Sequence, residues 1–174
     1  MHLKKINIEN YKCFEGRFSA SFDQGINIIV GDNEAGKSTI LEAINLALTG
    51  ILHGRYLKNE LSQYLFNYHI VNLYLEELRD DKNPSLPEIM IEIYFDDGEL
   101  PVFDGNWNSE KCKRWGVVFK IECDREYKSE YEELVASGDE ITTIPIEYYK
   151  INWKSFARES VTAKSIPIKS VLID

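Results

Sequence analysis

Residues 31–39 read GDNEAGKST and directly follow the unbroken apolar run INIIV at 26–30. No other stretch restricts the possible folds as sharply. Gly31, Gly36, Lys37 and Ser38 satisfy G-x-x-x-x-G-K-[ST], a pattern that builds a phosphate cradle when a strand leads in and a helix leads out. The β-branched run INIIV predicts a central strand buried on both faces. From Lys37 onward Ile40, Leu41, Ile44 and Leu48 recur at helical spacing, and Gly50 is placed to stop the helix. Glycines let the backbone turn so that several N–H groups point inward at phosphate oxygens, and the helix N-terminus adds partial positive charge. On this reading Lys37 reaches the β- and γ-phosphates of a nucleotide as a point charge. The Ser38 hydroxyl ligates Mg²⁺, a hard cation that prefers oxygen, and Thr39 bonds the α-phosphate.

The rest of the chain divides into a loop-bearing part (1–55), a helical part (56–84) and a β-rich part (85–174). Ile6 and Ile8 alternate with polar neighbours, as do Phe18, Ala20 and Phe22, which predicts two antiparallel strands. An apolar stripe from Leu57 to Leu78 predicts one helix over about residues 56–79, packed on the core, with a partner-facing role as the other reading. Pro84 and Pro87 break that pattern. Alternation at 89–95 and 117–123 predicts further strands, with Asp97 and Gly98 as a hairpin signal. Residues 126–136 suit a short exposed helix. IPIEYYKINWKSF (144–156) and IPIKSVLI (166–173) read as two more strands.

With 174 residues the chain is the size of a single domain. No apolar run is long enough for a membrane-spanning helix, and the N-terminus lacks a signal-peptide core. The expectation is a cytoplasmic protein without a membrane partner. Cys13, Cys112 and Cys123 have no pairing pattern and read as free buried thiols; His2, His53 and His69 share no metal spacing with them. A net charge of −9 argues against strong duplex binding by this segment, because nonspecific DNA affinity comes from neutralising phosphates. Lys111, Lys113 and Arg114, close to Trp107 and Trp115, read as a solvated loop before a nucleic-acid contact.

The GTPase strings D-x-x-G and N-K-x-D do not occur, and Arg114, Arg125 and Arg158 are too scattered to form the lid of a small-molecule kinase. The stretch LKKINIENYKCFEG…FDQGINIIVGDNEAGKSTILEAINLALTG resembles the N-terminal lobe of ABC-type ATPase heads in DNA-maintenance proteins: SMC proteins, RecF-like proteins and OLD-family ATP-dependent nucleases. IPIEYYKINWKSF with VLID resembles the region after the phosphate loop in the OLD family. The resemblance implies an α/β P-loop NTPase fold, an ABC-head-type N-terminal lobe with a mixed sheet and an additional antiparallel section. It implies ATP and Mg²⁺ as ligands, with residues 31–39, Asn33, Glu34 and Ala35 included, forming the cradle. Asn33 matches the Asn of the family's G-x-N-G-x-G-K-S loops, and Glu34 replaces the usual Gly. Lys12 stands where the family commonly carries Arg. It can supply charge to a phosphate but not a bidentate fork; the other reading is a solvated lysine.

Hydrolysis of ATP also needs carboxylates to bind metal through water and to orient the attacking water. IEIYFDD (91–97) ends in two aspartates but is interrupted by Glu92. VLID ends at Asp174, and ASGD (136–139) closes a helix where the family's signature opens one. The expectation is therefore the N-terminal ATP-binding part of a longer OLD-family-like nuclease, inactive alone. Its partners would be the remainder of its own chain, a second head in a head-to-head homodimer, and DNA through other domains, in repair or phage defence. A non-catalytic interaction module that keeps the loop and a stand-alone P-loop kinase are the rival readings.

Overall fold

A computed structural model describes residues 1–80, 82–96, 98–138 and 140–173. The elements in chain order are β1 (Leu3–Glu9), β2 (Arg17–Ser21), α1 (Lys37–Thr49), the short strands β3 (Ile51–Leu52) and β4 (Arg55–Tyr56), α2 (Tyr68–Arg79), β5 (Ile89–Phe95), β6 (Asp104–Gly105), β7 (Arg114–Cys123), α3 (Lys128–Ala136) and β8 (Tyr149–Ser155). The main sheet runs β2-β1-β5-β7-β6, with β8 also on β7, and each of its ladders is antiparallel. The predicted strands at 6–8, 18–22, 89–95 and 117–123 are all present. The hairpin signal at Asp97 and Gly98 includes Asp97, which lies outside the described residues; the next strand described after β5 is β6.

Helix α1 lies on one face of the sheet. Its residues Ile40, Ala43, Leu46 and Ala47 join Ile6, Ile8, Ile91, Ile93 and Phe119 in one buried cluster. Gly50 stops the helix as expected: its φ is 70°, and its N–H donates to the Leu46 carbonyl. That left-handed turn is cheap only for glycine.

The strand buried on both faces is β5, not INIIV. Residues 26–30 form no strand, and Ile26, Ile28 and Val30 are 92%, 81% and 82% exposed. The cause is the supply of partners. Strand β5 sits between β1 and β7 and bonds to both, whereas no described strand pairs with 26–30. An apolar run makes burial favourable, but a neighbouring chain must provide it.

On the far face of β5, Glu92 is fully buried and has no ion-pair partner among the described residues. Its oxygens accept from Asn7 Nδ2 (2.9 Å), the Tyr94 hydroxyl (2.9 Å), and the Ser109 N–H and hydroxyl (both 2.6 Å). The loop carrying Ser109 closes over this face, which explains how an interrupting Glu survives in a central strand. Asn7→Leu should cost about 1–3 kcal/mol by stripping a donor from this buried carboxylate. Urea unfolding at neutral pH measures it; an unchanged midpoint would show that the network adds nothing.

The single helix predicted over 56–79 is a correction. Only Tyr68–Arg79 is α-helical, and two 3-10 turns at Leu57–Asn59 and Gln63–Leu65 precede it. The Asn67 side chain caps α2 by accepting from the N–H groups of His69 and Ile70, and Phe66 bridges to Tyr11 in extended geometry. An N-cap with a tertiary bridge beside it starts the helix there, whatever the apolar stripe upstream. Val71, Tyr74 and Leu75 face the core, as the packing reading expects. A second correction concerns the chain end: residues 166–173 form no strand, and Val171 and Ile173 are 84% and 87% exposed. Pro167 removes a donor there, and no strand lies alongside. Within 144–156 only Tyr149–Ser155 is strand.

Candidate functional site

The segment 31–36 turns tightly into α1. Glu34 and Gly36 adopt left-handed backbone at φ 69° and 86°. Gly36 is required twice, by its φ and by its neighbours. A Cβ there would lie 2.9 Å from both Cys13 Sγ and Phe14 Cζ.

Lys37 folds back over the loop. Its Nζ donates to the carbonyls of Gly31 (2.7 Å) and Asp32 (2.5 Å). The first backbone bond into α1 is Ile40 N–H to the Gly36 carbonyl, 3.0 Å. No side chain caps the helix start, and its first turn holds no acidic residue. The N–H groups of residues 36–39 thus have no protein acceptor among the described residues. Four free donors, an adjacent ammonium and no carboxylate in that first turn favour an anion with several oxygens. Ser38 is exposed, with a hydroxyl bonded to no described residue. It offers the hard oxygen donor that Mg²⁺ beside a phosphate requires. Asn33, Glu34 and Ala35 are exposed on the rim, and Ala35 N–H bonds back to the Asp32 carbonyl at 3.3 Å. The donor set therefore fits a magnesium–polyphosphate group.

Lys12 is held elsewhere. Its Nζ lies 2.5 Å from Glu42 Oε1 on α1, and its side chain is 29% exposed, so the solvated reading is corrected. Glu42 also accepts from the Tyr11 hydroxyl (2.5 Å) and lies 3.1 Å from His53 Nε2. Burial first, and then the Glu42 hydrogen bond, push the Tyr11 hydroxyl far above the usual phenol range, so it remains a donor. Lys12 reaches the loop through its neighbours. Cys13 Sγ sits 3.6 Å from Thr39 Oγ1, and Phe14 stacks on Phe18 with ring centroids 4.4 Å apart. Sequence reasoning missed Cys13, Phe14 and Glu42 as supports of this site. The tight position of Gly36 was the one available hint. Cys13 is exposed, and Cys112 and Cys123 are half-buried; all three are free, so the expectation of buried thiols is corrected.

The described carboxylates of the acidic strings are engaged elsewhere. Glu92 is tied into its network, and Asp96 accepts from the His2 N–H at 2.6 Å, which lowers its carboxyl below the ordinary range. Asp97, Asp139 and Asp174 lie outside the described residues. Ser137 and Gly138 close α3, Gly138 at φ 75°, as expected for ASGD. In the basic cluster Lys113 pairs with Asp104 at 3.0 Å, while the Trp107 ring carries Lys154. Among the described residues no helix is long and apolar enough to cross a membrane.

A family model described as an AAA domain matches residues 5–170. The DNA double-strand break repair Rad50 ATPase of Archaeoglobus fulgidus is 44% identical over 59 residues, 34% of this chain and 6% of that protein. The DNA replication and repair protein RecF of Clostridium tetani is 32% identical over 81 residues, 47% of this chain and 21% of that protein. The matches thus span about a fifth or less of those relatives' lengths. A solved structure from work on ATP-driven dimerization and DNA stimulated activation of SMC ATPases covers 94% of this chain and 74% of its own, at 15% identity and a TM-score of 0.44.

Proposed function

The chain belongs to the AAA domain family, and from that premise we propose that it is the ATP-binding lobe of a composite ATPase that acts on DNA. The observation that carries this reading is the loop itself. Lys37 rests on the Gly31 and Asp32 carbonyls, and the amides of residues 36–39 stand free. In use, Lys37 would leave those carbonyls for the β- and γ-phosphates, and the free amides would donate to the phosphate oxygens. Ser38 would hold Mg²⁺, which supplies charge neutralisation between the phosphates.

The exposed run at 26–30 supports a second half. Three large apolar side chains in water forgo about 1.5–3 kcal/mol each. A further segment of the protein pairing along this run would recover that energy and brace the loop. A cavity of about 400 Å³ already lies between β2 and residues 27–30, with Ala35, Lys37 and Ile40 in its wall. The catalytic carboxylates, a head-to-head second copy and contacts to DNA would come with that complement. The finer reading, an OLD-family-like nuclease in repair or phage defence, rests on the likeness of residues 144–156 and 171–174 to that family.

Isothermal titration with Mg-ATP tests the reading. Binding without steady-state turnover is the expected result. No binding of ATP at all favours the interaction module, and phosphorylation of an added small acceptor favours the kinase. Turnover of about 1 s⁻¹ or more would mean that the chain already holds a complete catalytic set.

The chain by itself should bind duplex DNA weakly. Its charge of −9 leaves little capacity to displace counterions, and Lys113 is already paired. Fluorescence anisotropy with labelled duplex across a salt series measures this. Submicromolar affinity near physiological salt, lost when Lys111, Lys113 and Arg114 are replaced by Ala, would place a DNA surface inside the lobe.

A further inference from the structure

The largest cavity described, about 820 Å³, lies at the other end of α1 from the phosphate loop, beside Thr49 and Gly50. A 13-residue helix separates the two places by roughly 18 Å. The cavity is bounded by the β3–β4 hairpin, the inner side of β8 and the turn at 160–164. Its apolar wall is Phe119, Ile151, Trp153 and Val161, with Tyr56, 68% exposed, at the mouth.

The aromatic wall is rigidly seated. The Trp153 ring meets Phe119 edge-on at 5.6 Å, and a Cβ at Gly50 would approach its Cζ3 to 3.2 Å. Gly50 therefore serves as the indole's seat as well as the helix stop. The indole Nε1 is shut from solvent without an acceptor, so packing and not a hydrogen bond positions the ring.

The charge around this cavity is one-sided. Among the described residues Lys58, Lys150, Lys154 and Lys164 line it, and no Asp or Glu does, in a chain with 29 acidic residues against 20 basic ones. Two of the four ammonium groups point away: Lys150 Nζ is 2.8 Å from Asp124, and Lys154 Nζ lies over the Trp107 ring. Lys58 and Lys164 are exposed and have no ion pair among the described residues. The nearby C-terminus of α1 opposes an anion only weakly, because the Leu46 and Gly50 carbonyls already accept from Gly50 and Leu57 N–H groups. A flat apolar wall with two uncommitted cations and no carboxylate complements a ring system that carries negative charge.

We propose that this cavity is a second ligand site, for a small planar aromatic anion, with the ring against Trp153 and the charge between Lys58 and Lys164. The site is independent of the phosphate loop and of the function proposed for it.

The test is a fluorescence titration of the whole chain with 8-anilinonaphthalene-1-sulfonate. N-phenyl-1-naphthylamine, the same ring system without the sulfonate, serves as the uncharged comparison. One saturable site is expected for the sulfonate. The double variant Lys58→Ala, Lys164→Ala should weaken it about tenfold and leave the uncharged probe unchanged. Both substitutions are at exposed positions, and circular dichroism checks that the fold is retained. Ala163→Trp, which adds bulk to the wall, should weaken both probes. Sulfonate binding that ignores the lysine pair would overturn the proposal. So would binding abolished by Ile28→Ser, which would locate the probe on the exposed run at 26–30, or the absence of any saturable site.

Discussion

Lys37→Ala should remove Mg-ATP binding while leaving the fold in place. The ammonium is expected to make charge-assisted bonds to two phosphates, and their loss costs about 3–4 kcal/mol, or roughly 10² to 10³ in affinity. In the ligand-free chain Lys37 bonds only to the exposed carbonyls of Gly31 and Asp32. Water can take over at both oxygens, so stability should change by less than about 1 kcal/mol. Lys37→Arg should not rescue binding fully, because a planar fork does not replace a point charge in a tight loop. Ser38→Ala should act differently: it weakens binding in the presence of Mg²⁺ and has little effect without it. Calorimetric titration with and without Mg²⁺ reads both variants, and a thermal melt confirms folding. Equal ATP affinity in wild type and Lys37→Ala would remove the phosphate loop from the proposal.

Two isoleucines should behave in opposite ways, although the sequence ranks them the other way round. Ile91 lies in an alternating stretch interrupted by the charged Glu92, and Ile28 lies in a run whose only polar residue is Asn27. Yet Ile91 is fully buried against α1, and Ile28 is 81% exposed. Ile91→Ala should destabilise the chain by about 2–5 kcal/mol through lost burial and a cavity. Ile28→Ser should fall within about 0.5 kcal/mol of wild type, as surface substitutions do. Urea unfolding of the two variants gives the comparison. If Ile28→Ser costs as much as Ile91→Ala, residues 26–30 are packed and the case for a missing complement fails. Repeating Ile28→Ser in a longer protein that carries the pairing segment should raise its cost into the range of Ile91.

Local features were legible without coordinates because their causes are local. The helix from Lys37 to its stop at Gly50 follows from apolar spacing and from the glycine's tolerance of a left-handed turn. The alternation in β1, β2, β5 and β7 follows from the two-residue period that sends successive side chains to opposite faces of a sheet. The loop's composition was enough to expect free amides beside a lysine. Tertiary structure alone decided the rest. It turned Lys12 onto Glu42, because the left-handed turn at residues 10–16 directs that side chain toward α1. It broke the helix expected over 56–79 at Asn67, where a cap and a bridge to Tyr11 outweigh periodicity. It enclosed Glu92 in hydrogen bonds supplied by residues far apart in the chain. Above all it left Ile26, Ile28 and Val30 in solvent, since hydrophobicity sets how much burial is worth and only a neighbouring strand can provide it.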